Sequence, residues 1–149
     1  MNKYILIMII LISANSHSQQ LTCENFKNGT FIIPADETLP ISIRVERNGN
    51  NQTEIILNPE VIDAEDLELR KTFFEIIEWI DDCSYRITYN ETKMTLDEHQ
   101  KFVNENGGLL VEMVKIEGSC FYYMSSIDVD GEVVSVNGKL CKAKPSLKN

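Results

Sequence analysis

Four groups of side chains in this sequence have the types and spacing to do chemistry. Glu75 and Glu78 flank apolar and aromatic residues, and Asp81-Asp82 follow them. Paired carboxylates perform acid–base catalysis when their surroundings push their pKa values apart. On a strand, though, Glu75 and Glu78 point to opposite faces and cannot meet, so they read as solvated positions. His99 is the one histidine beyond the first segment of the chain. A Cys–His or Ser–His couple would need it, but on a capped surface helix it reads as a polar surface residue. Asp128-Val129-Asp130-Gly131-Glu132 has the D-x-D-G look of a calcium loop. Its glycine stands in the fourth place rather than the sixth, and the rest of the ligand frame is missing, so a hairpin turn is favoured. The fourth group is aromatic: Trp79, Tyr85, Tyr89, Phe121 and Tyr123 could line a ligand cavity in a small barrel. The competing reading makes Trp79 a core residue beside a disulfide, and it is preferred. No P-loop, G-x-S-x-G or H-E-x-x-H occurs. The expectation is therefore no catalytic set, no metal and no cofactor.

The elements that must position these residues come from a chain of 149 residues with formal net charge −9. That is one domain's worth of sequence. The acidic balance argues against binding to nucleic acid or to an anionic membrane surface. Lys3, the apolar run Tyr4 to Ile12 and the small residues of Ser16-His17-Ser18 read as a secretory signal peptide cleaved after Ser18. The run is far too short for a membrane span, which needs about 20 apolar residues. A lipid anchor on Cys23 is rejected from the residues that precede it. The expected organisation is a signal peptide over 1–18, one β-rich domain over 19–143 and a frayed tail over 144–149. The mature chain is expected in the periplasm, at the cell surface or secreted, with no transmembrane segment.

Cys23, Cys83, Cys120 and Cys141 all lie in the mature part. An even count in an exported chain reads as two disulfides, with three pairings open. Metal binding is disfavoured because no C-x-x-C pair exists. Cys23–Cys83 with Cys120–Cys141 is favoured. A two-residue turn at Asp130-Gly131 would set Val129 opposite Glu132 and, in the same register, Cys120 opposite Cys141. Against this, Asn137-Gly138 is an equally good turn signal and would break that ladder before Cys141. The three N-x-T sequons, beginning at Asn28, Asn51 and Asn90, read as chance in an Asn-rich chain.

Ile41 to Arg47 alternates cleanly, with Ile41, Ile43 and Val45 on one face and Ser42, Arg44 and Glu46 on the other. That is a half-buried strand. Asn48 to Asn51 is a turn signal, and Gln52 to Leu57 pairs back as a hairpin. Residues 60–82 are ambiguous. Period alone favours a helix with Leu69, Phe73, Ile76, Ile77 and Ile80 on one face, whereas aromatic and β-branched content favours a strand. Tyr85 to Tyr89 reads as strand. Thr95 with Glu98 makes a capping box for a short helix over Leu96 to Glu105, ended by Gly107-Gly108. Leu109–Glu117, Ser119–Asp128, Glu132–Val136 and Lys139–Ala143 read as further strands. The fold class is mainly β: an antiparallel barrel or sandwich of about seven or eight short strands, lipocalin-like in one version, with one short helix.

Three stretches carry a likeness to a known group. They are the C-x-x-F-K-x-G-T-F opening at Cys23–Phe31, Arg47 followed by Gln52-Thr53-Glu54, and Trp79-Ile80-Asp81-Asp82-Cys83-Ser84-Tyr85-Arg86-Ile87. Together they resemble small exported proteins of unknown function from Bacteroidetes-type bacteria, mainly over residues 23–89. The resemblance implies that Ile76–Ile80 is a strand leading into Tyr85–Tyr89, against the helical period. It also implies that Cys23 and Cys83 belong to one framework. The topoisomerase label that some such chains carry finds no support here, since no strand-passing Tyr site or basic groove is present. This chain departs from the pattern in an acidic stretch at Val61–Arg70 and in the extra pair Cys120/Cys141.

The functional expectation is a secreted or periplasmic, non-enzymatic binding module for a small apolar or amphipathic ligand. One alternative is a protein–protein module, such as an envelope accessory factor or inhibitor, motivated by the acidic stretch Glu60–Asp82 beside a basic tail. Another is a hydrolase-type enzyme, which would require the fold to bring two carboxylates together in a cleft.

Overall fold

The computed structural model describes residues 20–61 and 72–144. The proposed signal peptide, the core of the acidic stretch (62–71) and the tail from 145 onward lie outside the described residues.

The eight strands are β1 (Gly29–Ile33), β2 (Ile43–Asn48), β3 (Asn51–Ile56), β4 (Phe73–Trp79), β5 (Ser84–Tyr89), β6 (Leu109–Glu117), β7 (Cys120–Val129) and β8 (Glu132–Lys142). Each pairs antiparallel with its sequence neighbours, and β8 returns to β1, so the sheet is a closed up-and-down barrel. One helix, α1 (Glu98–Glu105), interrupts the meander between β5 and β6. The chain therefore takes the barrel alternative, and closure removes the open sheet edges that a sandwich would keep. The seam is short: β1 meets β8 only through Phe31↔Lys142 and Ile32↔Cys141.

Residues 73–79 are strand, not helix. The strand buries Ile77 completely and leaves Ile76 and Ile80 about half exposed, at 42% and 55%. Those two exposed isoleucines were what made the helical period look good. Barrel closure outweighs them, because β4 has a partner on each side, β3 through Asn51↔Ile76 and β5 through Ile77↔Ile87.

The α1 cap differs from the expected one. Asp97, not Thr95, is the N-cap, and its partner is Gln100 rather than Glu98. The Asp97 carboxylate accepts from the Gln100 backbone N–H at 2.8 Å, while the Asp97 N–H donates to the Gln100 side chain at 3.0 Å. Asn104 of α1 then satisfies the last residue of β5. It accepts from Tyr89 N–H at 2.8 Å and donates to the Tyr89 carbonyl at 3.0 Å.

Asn137-Gly138 is not a turn. β8 runs through it without a break, and Asp130-Gly131 alone makes the β7–β8 hairpin, setting Val129 opposite Glu132 and Cys120 opposite Cys141. Gly138 has a different role. The Tyr123 ring lies against it so closely that a β-carbon there would collide with Tyr123. Beyond Ser126, β7 has only β8 as a partner. The two form a projecting ribbon on which Val133 and Val134 are exposed.

One end of the barrel is sealed. A single 3-10 turn at Cys23–Phe26 lies across it. Phe26 is buried against Phe31 and Phe121, with ring centroids 5.6 and 5.3 Å apart. Disulfides join Cys23 to Cys83 and Cys120 to Cys141. The first clamps the sealing turn to the β4–β5 connection; the second staples adjacent strands. At the opposite end lie the connection 34–42, residues 57–61, the connection 90–108 and the β7–β8 hairpin.

Candidate functional site

The barrel is not filled. A cavity of about 660 Å³ lies inside it, walled by apolar side chains such as Val45, Ile87, Val111 and Leu140, with residues 34–39 at its rim. Volumes of roughly 300–1,000 Å³ are the usual size for small-molecule sites.

Its polar side follows from strand register. The inward alternation of β2 runs Ile43, Val45 and then Arg47; that of β3 runs Gln52, Glu54, Ile56; that of β4 includes Glu75 and Ile77. Arg47 pairs with Gln52, Gln52 with Glu75, and Glu75 with Tyr89 across successive strands. Four polar residues on four strands thus become a belt around half of the interior. Arg47, Gln52 and Glu75 are at 5%, 2% and 6% exposure.

The belt is tightly bonded at one end and open at the other. Arg47 Nε donates to Gln52 Oε1 at 2.7 Å, Nη1 donates to the Phe26 carbonyl at 2.9 Å, and Nη2 donates to the Tyr85 hydroxyl. The guanidinium also lies over the Tyr85 ring, 4.6 Å from its centroid. Gln52 Nε2 then donates to Glu75 Oε2 at 2.6 Å and to Glu54 Oε1 at 2.9 Å. A guanidinium only donates, so the bond from Arg47 Nε fixes Gln52 with its oxygen toward Arg47 and its amide nitrogen toward the two carboxyls. Glu54 and Glu75 therefore converge on one amide nitrogen.

Glu75 was expected to be solvated, and it is not. Glu75 and Glu78 do point to opposite faces, but the Glu75 face is the barrel interior while Glu78 is exposed. Burial pushes the Glu75 carboxyl well above the usual carboxylate range, and the Glu54 charge adds to that; Gln52 and Arg47 oppose it. Burial also raises Glu54, against the pull of Arg47 and Gln52. Burial pushes the Tyr85, Tyr89 and Tyr123 phenols up. All three remain neutral hydroxyls at physiological pH.

These shifts have a sign for stability. A carboxyl raised in the folded state holds a proton that the unfolded chain has released. Its contribution is fully present below the ordinary carboxylate pKa and is lost as pH rises through the raised value. Wild-type protein is therefore expected to lose urea resistance relative to Glu75→Gln as pH is raised from the acid range to mildly alkaline. Equal pH slopes for the two proteins would contradict the assignment.

Of the aromatics singled out in the sequence, Tyr85, Tyr89 and Tyr123 line the cavity. Trp79 and Phe121 do not. Phe121 is fully buried, and Trp79 packs on Tyr85 at 4.8 Å near the sealed end. Sequence reasoning passed over Arg47, Gln52 and Glu54 as site residues. The signal was present: Arg47 extends the Ile41, Ile43, Val45 alternation by one step, and Gln52 and Glu54 share the parity of Ile56. His99 lies on α1, exposed. Asp128 accepts from the Gly131 N–H at 2.8 Å, a bond within the hairpin turn. Among the described residues, no three His, Cys, Asp or Glu side chains gather as a metal site would need, and no helix is long and apolar enough to cross a membrane.

No protein-family model matches this chain, and no curated protein matches it.

Proposed function

We propose that the protein is a non-enzymatic binding module that holds a small amphipathic molecule inside its barrel, in the periplasm or outside the cell. The observation that carries this reading is the cavity itself: about 660 Å³ of space between apolar walls, with a polar belt on one side. A chain of this size gains stability by filling its core. Retaining such a space, next to one buried and one half-buried carboxylate, is costly unless something occupies it. The compartment follows from chemistry: disulfides persist where the surroundings are oxidising, and this chain has two.

The test is native mass spectrometry of protein purified from its producing cells, alongside a Ser125→Phe variant. Ser125 is buried, lines the cavity and pairs across β6–β7 with Val111. The wild type is expected to carry or take up an organic molecule and the variant to lose it while staying folded. A wild type that binds none of a panel of amphipathic molecules would overturn the reading.

The convergence of Glu54 and Glu75 supports a second reading, a hydrolase-type enzyme using the two carboxylates as acid and base. The same experiment separates the two. A bound molecule recovered unchanged after long incubation favours binding, and a cleaved one favours hydrolysis.

A further inference from the structure

We propose that the barrel selects ligands whose polar end is a protonated amine, seated against Glu54 and Glu75 with an apolar body along the cavity walls. The proposal rests on the binding reading above and specifies its ligand.

The reason lies in an imbalance of hydrogen-bond partners. All three donor nitrogens of Arg47 are engaged elsewhere, with Gln52, the Phe26 carbonyl and Tyr85. Neither carboxylate receives a bond from the guanidinium. Two carboxylates therefore share one neutral amide group as their donor, Gln52 Nε2. Glu75 Oε1 and Glu54 Oε2 have no hydrogen-bond partner among the described residues, yet both side chains line the cavity. Glu75 does this at 6% exposure. A carboxylate oxygen that opens on such a cavity is met by water or by a donor of the ligand, and a charged donor forms the stronger, charge-assisted bond.

A ligand group that improves on water there supplies several N–H or O–H groups and a positive charge. A primary ammonium supplies three donors and one charge. A metal ion fits less well, since no third ligating carboxylate, histidine or cysteine stands nearby among the described residues. A carboxylic acid ligand would place like charges together. The aromatic rings of Tyr89 and Tyr123 line the same space and favour an organic cation.

The proton balance is explicit. In the empty barrel, burial and the Glu54 charge keep a proton on Glu75. When the ammonium arrives, Glu75 loses that proton to solvent and its carboxylate accepts from the ammonium N–H. No bond other than O–H breaks. The charged and titratable groups facing Glu75 are Arg47 from β2, Glu54 from β3, Tyr85 and Tyr89 from β5 and Tyr123 from β7, with Asp36 and Lys139 at the rim. With the phenols neutral throughout, the carboxylate pair is the source of the released proton.

Isothermal titration with octylamine, octanol and octanoate, probes of equal chain length, tests this at neutral pH. Octylamine is expected to bind at least about tenfold tighter than octanol, and octanoate more weakly than either. Repeating the amine titration in phosphate and in MOPS, buffers of different ionisation enthalpy and without a primary amine, should reveal a released proton. In Glu75→Gln, and separately in Glu54→Gln, the preference for amine over alcohol should shrink to about threefold or less. If alcohol or acid binds as tightly as the amine, or if both variants keep the preference, the amine assignment is wrong and the binding reading survives. If no probe binds at all, both are wrong.

Discussion

Replacing Arg47 with Met is expected to lower the unfolding free energy by about 3–5 kcal/mol, the scale for removing one partner of a buried charged network. The side chain is 5% exposed and bonds three elements at once: the sealing turn through the Phe26 carbonyl, β3 through Gln52 and β5 through Tyr85. Met fills similar volume, so the loss is polar rather than a cavity effect. It strands three acceptors and removes Arg47, a cation that favours the charged forms of Glu54 and Glu75. The deficit should therefore widen as pH rises, because the carboxylates then ionise without the Arg47 charge to offset their repulsion. Urea unfolding of wild type and variant at acid and mildly alkaline pH measures both effects. A deficit under about 1 kcal/mol, or one independent of pH, would show that the guanidinium does not organise the belt. Arg47→Lys should recover little, since a single ammonium cannot reproduce the three-way fork.

Removing the Cys23–Cys83 bond should cost about 4 kcal/mol, and removing Cys120–Cys141 about 3 kcal/mol or less. The chain-entropy argument sets the order: the first bond closes a loop with a sequence separation of 60, the second one of 21. Topology widens the gap. Cys120 and Cys141 sit opposite each other in a long ladder, where the β7–β8 pairing already holds them. Cys23 lies on the sealing turn, joined to the barrel through the disulfide, the Phe26 packing and the Arg47 bond. Urea unfolding of the paired Cys→Ser variants gives both values. Equal losses would mean that the turn is held by its packing alone. Loss of the first bond should also loosen the sealed end, so that the Trp79 fluorescence transition precedes unfolding of the sheet measured by circular dichroism.

The sequence placed Arg47, Gln52 and Glu54 near one another without a reason for them. Register supplies the reason. The tight β2–β3 hairpin sets Arg47 opposite Gln52, and inward parity puts Glu54 two positions along. Glu75 shows the opposite case. Its face was assigned correctly, yet a carboxylate between Phe73 and Ile77 reads as exposed because burial of charge is rare. Only Gln52 and Arg47, brought from β3 and β2, offset the cost of that burial.

Local chemistry pointed to most of the strands and to the Asp130-Gly131 hairpin, but it left 60–82 open between helix and strand and left Asn137-Gly138 as an equally good turn, so the Cys120–Cys141 pairing was decided only by the unbroken β8 ladder. Side-chain alternation and turn residues act over a few positions and can be read directly from them. Barrel closure, the empty interior and the belt from Arg47 to Tyr89 required the tertiary structure. Each depends on which strands become neighbours, and residues far apart in the chain acquire a shared hydrogen-bond network only after the sheet has curled round on itself.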